Sequence, residues 1–229
     1  MIKAAIFDVF GTCVDWRNSV ARAVREAVDG VDPYEFTDAW RAEYEPSMRK
    51  IRTGNRGYLP LDHLHHENLQ IILERFEASV SDPEKLNRAW EKLDPWSDVT
   101  PGLNMLKSKV IIAPCSNGSI ALMTHLAKYA GLPWDCILGA ELAQNYKPHP
   151  DVYHACAKAL QLAPADIVMV AAHNGDLAAA QAEGFKTAFI CRPTEHGPDQ
   201  TTDLKPEGDW DFIENSFDDL GQKILQQTA

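Results

Sequence analysis

An apolar run, Lys3-Ala-Ala-Ile-Phe7, leads straight into Asp8-Val-Phe-Gly-Thr12. The run predicts a buried parallel strand, and the Gly-Thr turn behind it leaves the Asp8 carboxylate exposed at the end of that strand. Open α/β sheets place their chemistry at the carboxyl ends of their strands. Three further segments follow strand-like runs and supply complementary groups: Ser116-Asn117-Gly118, Lys147 within Asn-Tyr-Lys-Pro, and His173-Asn-Gly-Asp176. If the strands are parallel, a carboxylate, a hydroxyl, an amide, an amine, an imidazole and a second carboxylate converge on one crevice.

The elements that must position these groups read as two patterns. From about residue 16 to 97 the periodicity is helical: Asn18 to Val28, Thr37 to Arg52 with a kink expected at Pro46, and Leu61 to Phe76. A capping box at Ser81-Asp-Pro-Glu84 opens a further helix through Leu93. From Pro101 onward strands at 110–113, 136–138, 167–171 and 187–191 alternate with helices at 119–129, 152–160 and 177–183, two of them closed by Gly131 and Gly184. Strand–helix alternation predicts a doubly wound parallel α/β sheet. The first strand then belongs to a core, residues 1–15 and 98–229, interrupted by a helical cap over residues 16–97, far longer than a loop. After Pro193 the chain is expected to be a polar, Pro/Gly-rich tail until Trp210, ending in a short helix.

Composition narrows the function. A net charge of −11 argues against nucleic acid or an anionic membrane as partner, while one local cation still suffices for a small anion. No apolar stretch has the length of a membrane span, and the N-terminus lacks the basic-then-apolar layout of a signal peptide. The five cysteines, at 13, 115, 136, 156 and 191, are scattered and contain no C-x-x-C pair, as expected of reduced thiols in a cytoplasmic protein.

In order and over nearly the whole chain, the four segments resemble the haloacid dehalogenase superfamily, whose members share an Asp nucleophile, a Ser/Thr, a Lys and a terminal acidic loop. Phosphatases of that superfamily carry a second Asp two residues after the nucleophile, as general acid and base. Here that position is Phe10, which transfers no proton and suits a leaving group that needs none. With Leu-Ala-Gln-Asn-Tyr-Lys-Pro-x-x-x-Val-Tyr, the chain is similar to the L-specific, type II 2-haloacid dehalogenases. The resemblance implies hydrolysis of a short L-2-haloalkanoate or haloacetate to the 2-hydroxy acid without metal or organic cofactor, and a homodimer. The alternative is a phosphatase acting on a small phosphorylated acid.

The resemblance also implies roles. Asp8 attacks Cα and forms an ester that water cleaves; Lys147 neutralises Asp8; Asn117 meets halide and carboxylate; Arg41, behind Trp40, meets the substrate. Thr12 either bonds the Asp8 region or stabilises its turn, and Ser116 caps the helix behind it where an anion could bind. Tyr153 either neighbours Lys147 or packs in the core, and Asp176 orients Lys147 or water. His173 departs from the pattern: the better-known enzymes have Ser-Ser-Asn where this chain has Ala171-Ala172-His173, so an imidazole stands where the hydrolytic water is held, as a base or as a structural histidine. His63, His65 and His66 are expected to be solvated cap residues, and Cys115 a buried thiol.

Overall fold

The computed structural model describes residues 1–227. The chain opens with β1 (Ala4–Phe7), makes a short β2 (Val14–Asp15), and enters α1 (Trp16–Ala27), whose first turn is capped by the Asp15 carboxylate accepting from the Asn18 amide. There follow α2 (Pro33–Ala42), α3 (Tyr44–Arg52), α4 (Leu61–Arg75) and α5 (Pro83–Asn87). The short β3 (Asp94–Pro95) then returns to pair antiparallel with β2, so the helical excursion leaves and re-enters the core through one two-stranded ribbon. The remainder is α6 (Val99–Lys107), β4 (Ile111–Ser116), α7 (Ile120–Ala130), β5 (Leu138–Gly139), α8 (Ala140–Ala143), α9 (Pro150–Leu160), β6 (Ile167–Ala171), α10 (Asn174–Ala182), β7 (Lys186–Ile190), β8 (Phe212–Glu214) and α11 (Phe217–Gln226).

Six strands form one parallel sheet in the order β5-β4-β1-β6-β7-β8. β1 is central, with Ala4 beside Ile111 on one side and Ile167 on the other, and all four of its residues are fully buried. That double burial explains why β1 and β6 read as unbroken apolar runs rather than alternating ones. The chain order reverses at β1, which places Asp8 at the switch point of the sheet. Apolar side chains pack on both faces, one set including Phe7, Val168 and Phe217, the other Ile6, Met169 and Tyr153.

Several expectations change in detail. The helix expected over 37–52 is two helices broken at Glu43, not one kinked at Pro46. Pro46 lies in the first turn of α3, where a missing N–H costs nothing. The N-cap before α5 is Asp82 rather than Ser81, and this helix gives way to a single 3₁₀ turn over 88–91. The polar tail contains a sixth strand, β8, three residues long and too short to give a pattern. His65 is not solvated: it is 2 % exposed, stacked on Trp90 at 4.4 Å, and both ring nitrogens lack a partner. Burial and the nearby Arg41 charge hold this imidazole neutral. His63 is exposed and His66 half-buried, and Cys115 is a buried free thiol.

Candidate active site

Asp8 leaves β1 with its backbone still tied to β6, its amide donating to Val170 O at 2.9 Å. The turn behind it needs Gly11, at φ +87°, a conformation that side chains resist. Thr12 Oγ1 donates to Asp8 Oδ2 at 2.7 Å and accepts from the Ala172 amide at 2.9 Å, joining the first strand end to the β6 strand end. Lys147 Nζ donates to Asp8 Oδ1 at 2.9 Å and also bonds Asp176 Oδ2. Lys147 is itself placed by Asn117, whose Oδ1 accepts its backbone amide at 2.8 Å. The Tyr153 hydroxyl donates to Asp176 Oδ1, so Asp176 holds the lysine from one side and the tyrosine from the other.

His173 faces Asp8 directly. Its Nδ1 lies 3.1 Å from Asp8 Oδ2, and its Nε2 lies 2.9 Å from Glu195 Oε2. Glu195 is 1 % exposed and is fixed by Trp16, whose Nε1 donates to Oε1 at 3.0 Å. Space there is tight: a Cβ on Gly11 would stand 2.0 Å from Glu195 Oε1. Sequence reasoning missed Glu195 entirely. The signal available was its place in the segment after β7, five residues past the strand end (195 − 190); the polar composition of the tail hid it.

The charges of this cluster are mutually dependent. Burial raises the Asp8 carboxyl, but Lys147, His173 and the Thr12 hydroxyl outweigh it and keep the carboxylate ionised far below the usual range. Burial disfavours the Lys147 and His173 cations. Asp176 and Asp8 overcome this at the lysine, and Glu195 and Asp8 overcome it at the histidine, so both are held charged well above their ordinary values. Glu195 is correspondingly held down by His173.

Above the cluster is a cavity of about 340 Å³, lined by Asp8, Phe10, Arg41, Tyr44, Asn117, Lys147 and His173 among others. Phe10 meets Trp90 and His65 edge-on and gives the cavity an apolar wall. Arg41 reaches in from α2, with its guanidinium carbon 3.9 Å from the Tyr44 ring centre and 5.5 Å from that of Trp16. Its Nε is buried without a partner, and among the described residues no carboxylate pairs with it. Thr12, Tyr153 and Ser116 are set back from the cavity and fully buried; the first two bond Asp8 and Asp176, whereas the Ser116 hydroxyl accepts the Gly118 amide at 3.0 Å within the turn that carries Asn117. The helix behind it is capped by Ser119 instead.

An ionised aspartate at the switch point of a parallel sheet, bonded to a lysine and faced by an imidazole–carboxylate pair, is the equipment of an α/β enzyme that works through a carboxylate nucleophile. Comparison with known proteins specifies the family. A profile of haloacid dehalogenase-like hydrolases matches residues 2–184. The (S)-2-haloacid dehalogenase of Xanthobacter autotrophicus is 30% identical over 200 residues, 84% of this chain and 76% of that one, and (S)-2-haloacid dehalogenase 4A of Burkholderia cepacia is 28% identical over 83% and 84%. Among solved structures, a defluorinating L-2-haloacid dehalogenase superposes with a TM-score of 0.93 at 44% identity, covering 98% of this chain and 95% of that one. A second L-2-haloacid dehalogenase superposes with a TM-score of 0.95 at 40% identity, covering 99% and 100%. The chain belongs to the haloacid dehalogenase-like hydrolase family.

Proposed function

We propose that this chain hydrolyses short L-2-haloalkanoates and haloacetates to 2-hydroxy acids through an ester on Asp8. The observation that carries this reading is the pairing of an ionised, lysine-bonded Asp8 with the apolar ring of Phe10 two residues on. A phosphoester leaving group needs a proton donor there, and a halide does not. The relatives above support the same substrate class. The residues do not fit Mg²⁺ held between Asp8 and Asp176: the Lys147 ammonium stands between the two carboxylates, bonded to both, and Phe10 adds no third.

The unpaired Arg41 guanidinium at the cavity receives the substrate carboxylate or the departing halide, with Asn117 opposite. An Asp8 oxygen attacks Cα from behind the halogen, and the carbon–halogen electron pair leaves on the halide. The resulting ester is neutral. His173 then loses one of the two carboxylates that held its second proton, while Glu195 still accepts Nε2–H. Nδ1, which faced Asp8, releases its proton through the cavity to solvent and is left with a lone pair beside the ester. The first step thus turns His173 from a cation that holds the nucleophile into a base for the second. Water gives one proton to Nδ1 and attacks the Asp8 carboxyl carbon; the acyl C–O bond breaks, the leaving oxygen takes water's second proton, and the aspartate and the inverted 2-hydroxy acid are released.

In the same reading residues 16–97 act as a cap that brings Arg41 and Tyr44 over a core formed by 1–15 and 98–229. Arg52 ties the cap to the core by donating to Lys147 O at 3.1 Å. We further infer a cytoplasmic homodimer. Five free cysteines suit a reducing compartment, and the dimer follows from the family resemblance. Light scattering that returns the mass of a single chain would remove the dimer.

The test is a substrate panel: L-2-chloropropionate, chloroacetate and fluoroacetate for halide release, and small phosphorylated acids for phosphate release, with Mg²⁺ and after exhaustive EDTA. Halide release that survives EDTA, without phosphate release, is expected. Phosphate release that requires Mg²⁺, with no halide from any substrate, would overturn the reading.

A further inference from the structure

We propose that His173, Glu195 and His196 form a zinc-binding site whose occupation shuts the enzyme down. Nothing in the reaction derived above uses His196. It follows Glu195 in the chain, its ring packs edge-on against Trp16 at 5.7 Å, and its Nε2 lies 3.6 Å from Glu195 Oε1. That is too long for a hydrogen bond and right for two ligands of one ion, since two bonds of about 2.1 Å at a tetrahedral angle separate their ends by about 3.4 Å. His173 Nε2 lies 2.9 Å from the other Glu195 oxygen, and the donor atoms of all three residues lie within 4.8 Å of one another.

Three further features match what holds a transition metal rather than a chance cluster. The donor set of two imidazoles and one carboxylate is one that zinc accepts with a fourth position open to water. The supporting shell already exists: His173 Nδ1 bonds the Asp8 carboxylate, the carboxylate–histidine arrangement that orients metal-bound imidazoles, and Trp16 Nε1 fixes Glu195. The His173 and His196 side chains are 25 % and 41 % exposed, whereas Glu195 is buried, which leaves an open approach to a fixed ligand. Asp8 and Asp176 add negative charge nearby, offset by Lys147.

Binding would replace the proton shared by His173 Nε2 and Glu195 and release it to solvent. With zinc on Nε2, the imidazole can no longer take a proton from water at Nδ1 while Glu195 steadies the resulting cation. The site is distinct from any metal requirement, and removing zinc would restore activity rather than abolish it.

The binding arm of the test does not depend on the proposed substrate. Isothermal titration of the metal-free protein with Zn²⁺ should give one site per chain with micromolar affinity, and His196→Gln, a surface change outside the reaction machinery, should weaken it at least tenfold. Halide release from L-2-chloropropionate should fall as that site fills and recover with EDTA. Mg²⁺ should have no effect, and His196→Gln should keep the zinc-free kcat/KM while shifting inhibition at least tenfold. No saturable Zn²⁺ binding below 100 µM, or binding equally tight in His196→Gln, as a surface histidine elsewhere would give, overturns the proposal. So does binding at His196 that leaves turnover unchanged, because His173 would then not be a ligand. If the protein releases no halide at all while the titration behaves as expected, the zinc site stands and the substrate reading fails.

Discussion

At the scale of single residues, the division of labour around Asp8 predicts separable steps. Ester formation needs Asp8, Lys147 and a halide acceptor; ester cleavage also needs the imidazole held by Glu195. His173→Ala is therefore expected to leave the first step largely intact and slow the second by about 10²-fold or more, the scale of a removed general base. Mixed with excess substrate it should release about one halide per site and then nearly stop, with the ester visible on the Asp8 peptide by mass spectrometry. Slow halide release from the first turnover, with no ester, would move the base role to Asp176. Arg41→Lys keeps a charge but loses the two-pronged contact, and kcat/KM on L-2-chloropropionate should fall by at least about 1.5 kcal/mol in transition-state terms. Wild-type kcat/KM would make Arg41 a bystander. Asp8, Asn117 and His173 were legible because each follows a strand, whereas Lys147, which comes after α8, was legible only through its Asn-Tyr-Lys-Pro setting. Ser116 was misread as the cap of the helix behind it: its hydroxyl accepts the Gly118 amide inside the strand-end turn, and Ser119, three residues on, caps the helix. His65 was misread because three histidines in four residues look solvated, although one of the three must face the core on a helix of this phase.

At the scale of elements, two strand-end turns decide the geometry. The β1 turn carries Asp8 and Thr12, the turn after β7 carries Glu195, and they touch at Gly11. Gly11→Ala puts a methyl where the Glu195 carboxylate lies and forces a side chain into φ +87°. Displacing Glu195 frees His173, so kcat should fall roughly tenfold or more through the same ester-cleavage step. In a His173→Ala background the added loss should be small, because Glu195 then has nothing left to orient. Losses that simply multiply in the double variant would show that Gly11 acts by another route. The long elements were legible in the sequence because period and capping agree over many residues, as in α4, α7 and β6. The failures were local: a helix break at Glu43 set by packing of α2 and α3 on α4, and a three-residue β8 whose partner, β7, lies more than twenty positions upstream. Neither leaves a mark in a short window of sequence.

At the scale of the whole molecule, the fold holds five charged groups in a cluster that is mostly out of water, and its stability must follow their titration. His173 has a raised value in the folded protein, so its contribution is complete below its unfolded value of about 6.5 and is lost as pH rises toward the folded one. Asp8 and Glu195 have lowered values, so theirs is present above about 4.3 and is lost as pH falls. The protein should be most stable between these limits. Melting temperatures measured at pH 6 and pH 9 should fall more in the wild type than in His173→Gln; parallel curves would show that the imidazole is not held charged.

The central place of β1 carries a consequence for how the chain comes off the ribosome. Ala4 lies beside Ile111 and Ile167, so the strand bearing the nucleophile is made 107 residues before its first neighbour (111 − 4) and 163 before its second (167 − 4). At roughly 5–20 residues per second, that is on the order of 5–20 s of translation during which an apolar strand has no edge to join. The helices between, whose contacts are local, are free to assemble in that interval. Synthesis therefore delivers the lid before the seat it closes on. The aspartate can meet its lysine once residue 147 has emerged, twenty residues before the first residue of β6 (167 − 147), so the nucleophile's partner is made while β1 still has one open edge.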